Sequence, residues 1–118
     1  MGVFNWPLRL TSPDGQHSLD LEAMVDTGAS YTIVPSRLLR QLGVEPFDTI
    51  SLVLADGRPI EMGLGRATAT IDGRSEPTLV VFGEDNARPL LGAYTLEGLR
   101  LAVDPVHRKL IPATTAWA

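Results

Sequence analysis

Met24-Val25-Asp26-Thr27-Gly28-Ala29-Ser30-Tyr31-Thr32-Ile33-Val34 sets one acidic residue and a run of small, turn-forming ones between two apolar segments. Both flanks read as buried strand. Upstream, Leu19, Leu21, Ala23 and Val25 alternate with Ser18, Asp20 and Glu22, the period-2 pattern of a half-buried strand. Taken alone, an Asp at the end of such a strand accepts backbone hydrogen bonds in a tight turn. What surrounds it decides whether it does more.

Strand signals continue along the chain. Leu99, Leu101 and Val103 alternate in the same way, and Pro77-Thr78-Leu79-Val80-Val81-Phe82 is a continuous β-favouring run that suggests a strand covered on both faces. Asp14-Gly15, Asp56-Gly57 and Asp72-Gly73 fall between such runs, and Asp-Gly marks hairpin turns because glycine supplies positive φ. Helical signals are short. Pro35 to Gly43 has Pro at the start of a helical pattern, Leu38, Leu39 and Leu42 on one face, and Gly just past the end. Ala93-Tyr94-Thr95-Leu96-Glu97-Gly98, after Gly92, is a second candidate. The pattern predicts an all-β chain of mostly antiparallel hairpins with one or two short helices.

The 118 residues suit one domain, expected over 1–118, and a chain of this size buries roughly two-thirds of its unfolded surface. No linker, low-complexity tract or solenoid repeat interrupts it. With 44% hydrophobic and 20% charged residues the composition is that of a globular protein, with no apolar run long enough for a membrane span. The first residues lack a basic n-region followed by an apolar stretch, and position 6 is Trp where a myristoylation signal needs Ser or Thr, so a cytoplasmic protein is expected. With no cysteine, disulfides, thiolate zinc sites and a cysteine nucleophile are excluded. A formal net charge of −4, with His107-Arg108-Lys109 as the densest basic spot, argues against nucleic acid as a partner.

Asp26-Thr27-Gly28-Ala29-Ser30, preceded by Val25 and followed by Thr32-Ile33-Val34, resembles the active-site loop of the aspartic peptidases. Pro89-Leu90-Leu91-Gly92 resembles that family's second signature, apolar residues and a Gly leading into a short helix. The two occur in the family's order, with the Asp56-Gly57 hairpin between them where the family carries its flap. The resemblance is to the retropepsin-like branch, bacterial single-domain members included, and covers roughly residues 3 to 112. It implies a closed, barrel-like, antiparallel acid protease fold and an aspartic endopeptidase that acts on protein or peptide substrates without cofactor or metal.

Peptide hydrolysis by this route needs two carboxyl groups around one water, one ionised to take its proton and one protonated to hydrogen-bond the substrate carbonyl. Two like charges so close share a proton and titrate as a unit, and aspartic proteases are the standing example of that sharing. This chain has a single Asp-Thr-Gly: Asp56, Asp72, Asp85 and Asp104 all lack the following Thr-Gly. The second carboxylate must therefore come from another subunit, and a C2 homodimer brings Asp26 against its own copy.

By resemblance, Asp26, Thr27 and Gly28 form the catalytic loop. Thr27 would bond across the two-fold axis, and Gly28 would let substrate backbone approach closely. Ala29, Ser30 and Tyr31 would line the cleft, and Asp56, Gly57 and Arg58 would form the flap tip, donating backbone hydrogen bonds to an extended peptide. Two departures stand out: Ser30 replaces the Asp, and Ala93 the Arg, that pair in viral members. Losing both leaves no orphaned charge, and it implies a different dimer interface. The flap Ala55-Asp56-Gly57-Arg58-Pro59 is polar and contains proline where viral tips are glycine-rich, so its gating is expected to differ. Trp6 and Trp117 are read either as pairing in a dimer interface or as capping a monomer's core.

Other features suggest no second chemistry. His17 and His107 stand apart beside turns and read as exposed side chains. Gly63-Leu64-Gly65 lacks a dinucleotide fingerprint's third glycine and reads as flap-strand flexibility. There is no Gly-x-Ser-x-Gly elbow, and no His base stands near Ser30 in sequence. Two further readings remain: a peptide-binding or assembly module that keeps the fold without cleaving, and a monomer that dimerises only at high concentration or acidic pH.

Overall fold

A computed structural model of the chain describes residues 3–113. In chain order it forms β1 (Asn5–Thr11), β2 (Ser18–Val25), β3 (Thr32–Pro35), α1 (Ser36–Leu42), β4 (Asp48–Val53), β5 (Pro59–Ile71), β6 (Arg74–Gly83), β7 (Leu90–Leu91), α2 (Ala93–Gly98), β8 (Leu101–Asp104) and β9 (Lys109–Pro112). The expected all-β architecture with two short helices is present. The three Asp-Gly pairs are turns, with positive φ at Gly15, Gly57 and Gly73. At Asp72-Gly73 both residues have positive φ and join paired Ile71 and Arg74, the geometry that matches strand twist in a two-residue hairpin.

Seven strands pair in the order β1-β2-β7-β3-β6-β5-β4, and β1 also pairs with β5 through Leu10↔Ala69. Six strands therefore run in a closed circuit, and β4 extends beyond it with the first part of β5 as a two-stranded arm. β8 and β9 form a separate hairpin. Apolar side chains fill the interior: Leu8 and Leu10 of β1, Ala23 and Val25 of β2, Val34 of β3, Ala69 and Ile71 of β5, Val80 and Phe82 of β6, and Leu91 of β7. Fully burying one such side chain contributes about 1.5–3 kcal/mol, so the interior carries most of the fold's stability.

The pairing is not purely antiparallel. β2 runs parallel to β7 and β3 parallel to β6. Hairpin signals report only on strands joined by a tight turn, whereas parallel neighbours are joined through long connections that leave no local mark. The alternation from Leu99 to Val103 is also only partly strand. Leu99 closes α2, its N–H donating to the Thr95 carbonyl at 3.0 Å, and Arg100 takes φ 56° before β8 begins at Leu101.

α1 follows its expected boundaries. Pro35 is its N-cap, Leu39 and Leu42 are buried, and Gly43 ends it at φ 89° with its N–H donating to the Arg40 carbonyl. Gly63 and Gly65 correct the expectation of flexibility. A Cβ on Gly65 would lie 2.7 Å from Val44 Cγ1 and 3.0 Å from Phe82 Cε1, and one on Gly63 would lie 3.1 Å from Pro46 Cβ. These glycines let the base of the arm press against the Val44 to Pro46 segment. Trp6 is half-buried, edge-on to Phe4 with ring centroids 6.0 Å apart, and packs on the core; Trp117 lies outside the described residues. No helix among the described residues is long and apolar enough to cross a membrane.

Candidate functional site around Asp26

Asp26 sits where β2 ends and is held from both sides. Val25 N–H donates to the Phe4 carbonyl at 2.9 Å, Met24 N–H to Pro89 at 3.0 Å, and Asp26 N–H to Leu91 at 3.0 Å. The carboxylate makes the tight turn anticipated for an Asp in this position: Oδ1 accepts the Gly28 N–H at 2.9 Å, and the Asp26 carbonyl accepts the Ala29 N–H at 3.2 Å. A Cβ on Gly28 would lie 3.1 Å from that same Oδ1. Asp26 is half-buried, and Thr27, Gly28 and Ser30 are exposed. Val3, Phe4, Val25, Val103 and Pro105 surround Asp26 and Thr27 on one flank, around a cavity of about 30 Å³. The residue that begins the loop thus faces an apolar wall on one side and solvent on the other.

Pro89-Leu90-Leu91-Gly92 places β7 between β2 and β3, pairing with both. Gly92 passes so close to the Asp26 loop that a Cβ there would lie 2.4 Å from the Tyr31 carbonyl carbon and oxygen and 3.0 Å from the Ala29 oxygen. No other residue fits. The N-cap Gly92 has no side chain to cap α2, and the Asp26 loop and the start of β3 do so instead: Gly92 N–H donates to Thr32 Oγ1 at 3.2 Å, Ala93 N–H to the Ala29 carbonyl at 2.8 Å, and Tyr94 N–H to the Ser30 carbonyl at 2.9 Å. Amides left over at a helix N-terminus need such partners. Behind them lie three buried hydroxyls, with Thr95 Oγ1 2.6 Å from Thr32 Oγ1 and 2.8 Å from Thr78 Oγ1.

Ser30 and Ala93, read as replacing an ion pair, belong to the adjoining segments that these backbone bonds join. The described residues contain no buried charge. Instead Tyr31 and Tyr94 bring their rings to 5.8 Å between centroids at 37°, with Tyr94 45% exposed.

Asp56, Gly57 and Arg58 stand at the tip of the β4–β5 arm, all exposed, and no hydrogen bond among the described residues links them to the Asp26 loop. Gly57 N–H donates to the Leu54 carbonyl, and Leu54 N–H to Arg58. Asp56 accepts from Arg58 Nε at 2.7 Å and from the Arg58 N–H at 3.0 Å, and the Arg58 side chain holds its carboxyl below the ordinary 3.8. At the arm's base the Arg66 guanidinium lies 3.6 Å from the Phe47 ring centroid. His17 and His107 are exposed; His107 Nδ1 lies 2.8 Å from Asp104 Oδ2, which lowers the Asp104 carboxyl. No group of three or more His, Cys, Asp and Glu that could hold a metal occurs among the described residues.

Sequence reasoning found Asp26, Gly28 and the Gly92 segment but missed Thr32, Thr78 and Thr95. Threonine in a strand reads only as a β-former, and a bond between residues 63 apart in sequence has no local signal.

A closed, mostly antiparallel sheet with Asp-Thr-Gly at one strand end and Leu-Leu-Gly leading into a helix beside it is the retropepsin-like aspartic protease fold. The chain belongs to the family described as "gag-polyprotein putative aspartyl protease", whose profile matches residues 15–98. Its structure is similar to the protease of simian foamy virus (TM-score 0.56, 19% identity, 80% of this chain and 92% of that one). The retroviral protease-like domain of Ddi1 from Leishmania major is similar over 98% of this chain and 91% of its own (TM-score 0.61, 18% identity). A retropepsin-like aspartic protease from Rickettsia conorii matches over 87% and 88% (TM-score 0.53, 20% identity). No curated protein matches the chain in sequence.

Proposed function

We propose that the chain is an aspartic endopeptidase that cleaves peptide bonds as a homodimer. The observation that carries this reading is the Asp26 loop itself: a half-buried carboxylate fixed at a strand end by β7 and α2, one to a chain. A two-fold axis beside Asp26 would supply the second carboxylate. One Asp26, ionised, would take a proton from a water held between the pair, and the other, protonated, would hydrogen-bond the scissile carbonyl as the water attacks. Thr27, exposed next to the carboxylate, would bond across the axis. Gly28 would leave room for substrate backbone, and Ala29, Ser30 and Tyr31 would line the cleft. Asp56, Gly57 and Arg58 would close over the substrate from the arm. The chemistry calls for no cofactor.

A second reading, a peptide-binding module that does not cleave, draws on the arm tip. There the Asp56 and Arg58 side chains are engaged with each other, which differs from a glycine-rich, mobile flap.

The test is incubation of the protein and its Asp26→Asn variant with a diverse pool of unstructured peptides from acidic to neutral pH, with products read by mass spectrometry. Cleavage by the parent, reduced about 10²–10⁴-fold in the variant, is the expected outcome. A stable dimer that binds extended peptides and cuts none at any pH would transfer the assignment to the binding module.

A further inference from the structure

The three buried threonines play no part in the water activation proposed above, and they need a physical reason to be there. Thr32, Thr78 and Thr95 are 1%, 5% and 1% exposed. Valine would fill the same space without the cost of taking a hydroxyl out of water. A buried polar network that is satisfied instead selects one arrangement of the elements it joins.

Those elements are β3, β6 and α2, and Thr95 is the member bonded to both of the others. Gly92 N–H donates to Thr32 Oγ1, and the Thr32–Thr95 and Thr95–Thr78 hydroxyl pairs each share one hydrogen, which either oxygen can donate. The rise and rotation of α2 are thereby set against two strands. From α2 the geometry passes directly to the reacting loop. Gly92, Ala93 and Tyr94 donate to Thr32, Ala29 and Ser30, and Leu91, one residue before the helix cap, accepts the Asp26 N–H at 3.0 Å. With 2.4 Å between a Gly92 Cβ position and Tyr31, the loop and the helix start have no slack to absorb a shift.

We infer that Thr95 is a positioning residue, whose hydroxyl sets the placement of Asp26 through α2 and β7. Its catalytic meaning rests on the peptidase reading, but its structural content does not. Apolar packing alone could hold α2 down, yet it is tolerant of small slides. Directional hydroxyl bonds are not.

The test compares the parent with Thr95→Val, Thr95→Ser and the triple variant Thr32→Val, Thr78→Val, Thr95→Val. Thr95→Val strands the buried Thr78 hydroxyl and leaves Thr32 with the Gly92 N–H as its remaining partner. The triple variant removes all three hydroxyls while keeping their shape and leaves the buried Gly92 N–H unpaired, so its melting temperature falls below the parent's. Two readouts are taken, amide hydrogen exchange at Asp26 and Gly92 against amides of β5 and β6, and kcat with KM. In Thr95→Val and the triple variant, exchange at Asp26 and Gly92 rises about tenfold beyond that of β5 and β6, and kcat falls about tenfold with KM within about twofold. Thr95→Ser restores both. Unchanged exchange at Asp26 in Thr95→Val and in the triple variant, or acceleration shared equally by β5 and β6, overturns the inference; Gly92 is diagnostic in Thr95→Val alone, where its acceptor Thr32 is retained. If the parent cleaves no peptide, the peptidase reading fails and the exchange data still decide the role of Thr95.

Discussion

The Asp26 loop and the tip of the β4–β5 arm are both tight turns built around an Asp and a Gly, and they are held in opposite ways. At the loop, bonds from Phe4 just before β1, from β7 and from the start of α2 converge from residues distant in sequence, and Gly92 is admitted only because it has no side chain. At the tip, every bond runs within Leu54 to Arg58, all of it near solvent. Tertiary context decides how rigid a turn is, because local bonds close to water open at little cost and bonds shared with a packed core open only with the core.

The sharpest attempt to break this comparison is Gly92→Ala. A Cβ 2.4 Å from backbone atoms cannot be accommodated by a rotamer change, so a loss of about 3 kcal/mol or more is expected in chemical denaturation. Gly65→Ala tests the base of the arm, where Val44 Cγ1 would be 2.7 Å away. A side-chain methyl can yield, and the expected cost is about 1–3 kcal/mol. Gly57→Ala, at φ 85° with open space around it, carries backbone strain alone, about 1–2 kcal/mol. If Gly57→Ala destabilised as much as Gly92→Ala, the two turns would not differ as described.

Asp56→Asn is the smallest. Its partner Arg58 is exposed, so the midpoint of denaturation should stay unchanged within error. Acid should sharpen the contrast. Arg58 holds the folded Asp56 carboxyl below the ordinary 3.8, so its contribution is fully present above 3.8 and is lost as pH falls through the lower folded value. The Asp104 turn, where His107 lowers the carboxyl, follows the same sign. Exchange at the Arg58 amide should therefore quicken below pH 3.8 in the parent and show no such step in Asp56→Asn.

Much of the molecule could be read before its fold was known. The turns at Asp14-Gly15, Asp56-Gly57 and Asp72-Gly73 and the ends of α1 at Pro35 and Gly43 are local chemistry: positive φ, a missing N–H group and strand alternation. The paired signatures at Asp26 and Gly92 were legible through their resemblance to a family. Gly63 and Gly65 were misread because a glycine that provides flexibility and one that provides clearance look alike until the neighbour is known. Leu99 was misread because alternation does not show where a helix hands over to a strand.

Residue order alone thus settled the class of fold; it also singled out Asp26 and raised the expectation of a second carboxylate from a partner, since these follow from patterns a few residues long or from a simple count. The tertiary structure decided the parallel pairings, the capping of α2 by the Asp26 loop and the meeting of Thr32, Thr78 and Thr95. These arise when distant segments are packed to the exclusion of water, where one methyl or one hydroxyl determines which arrangement fits.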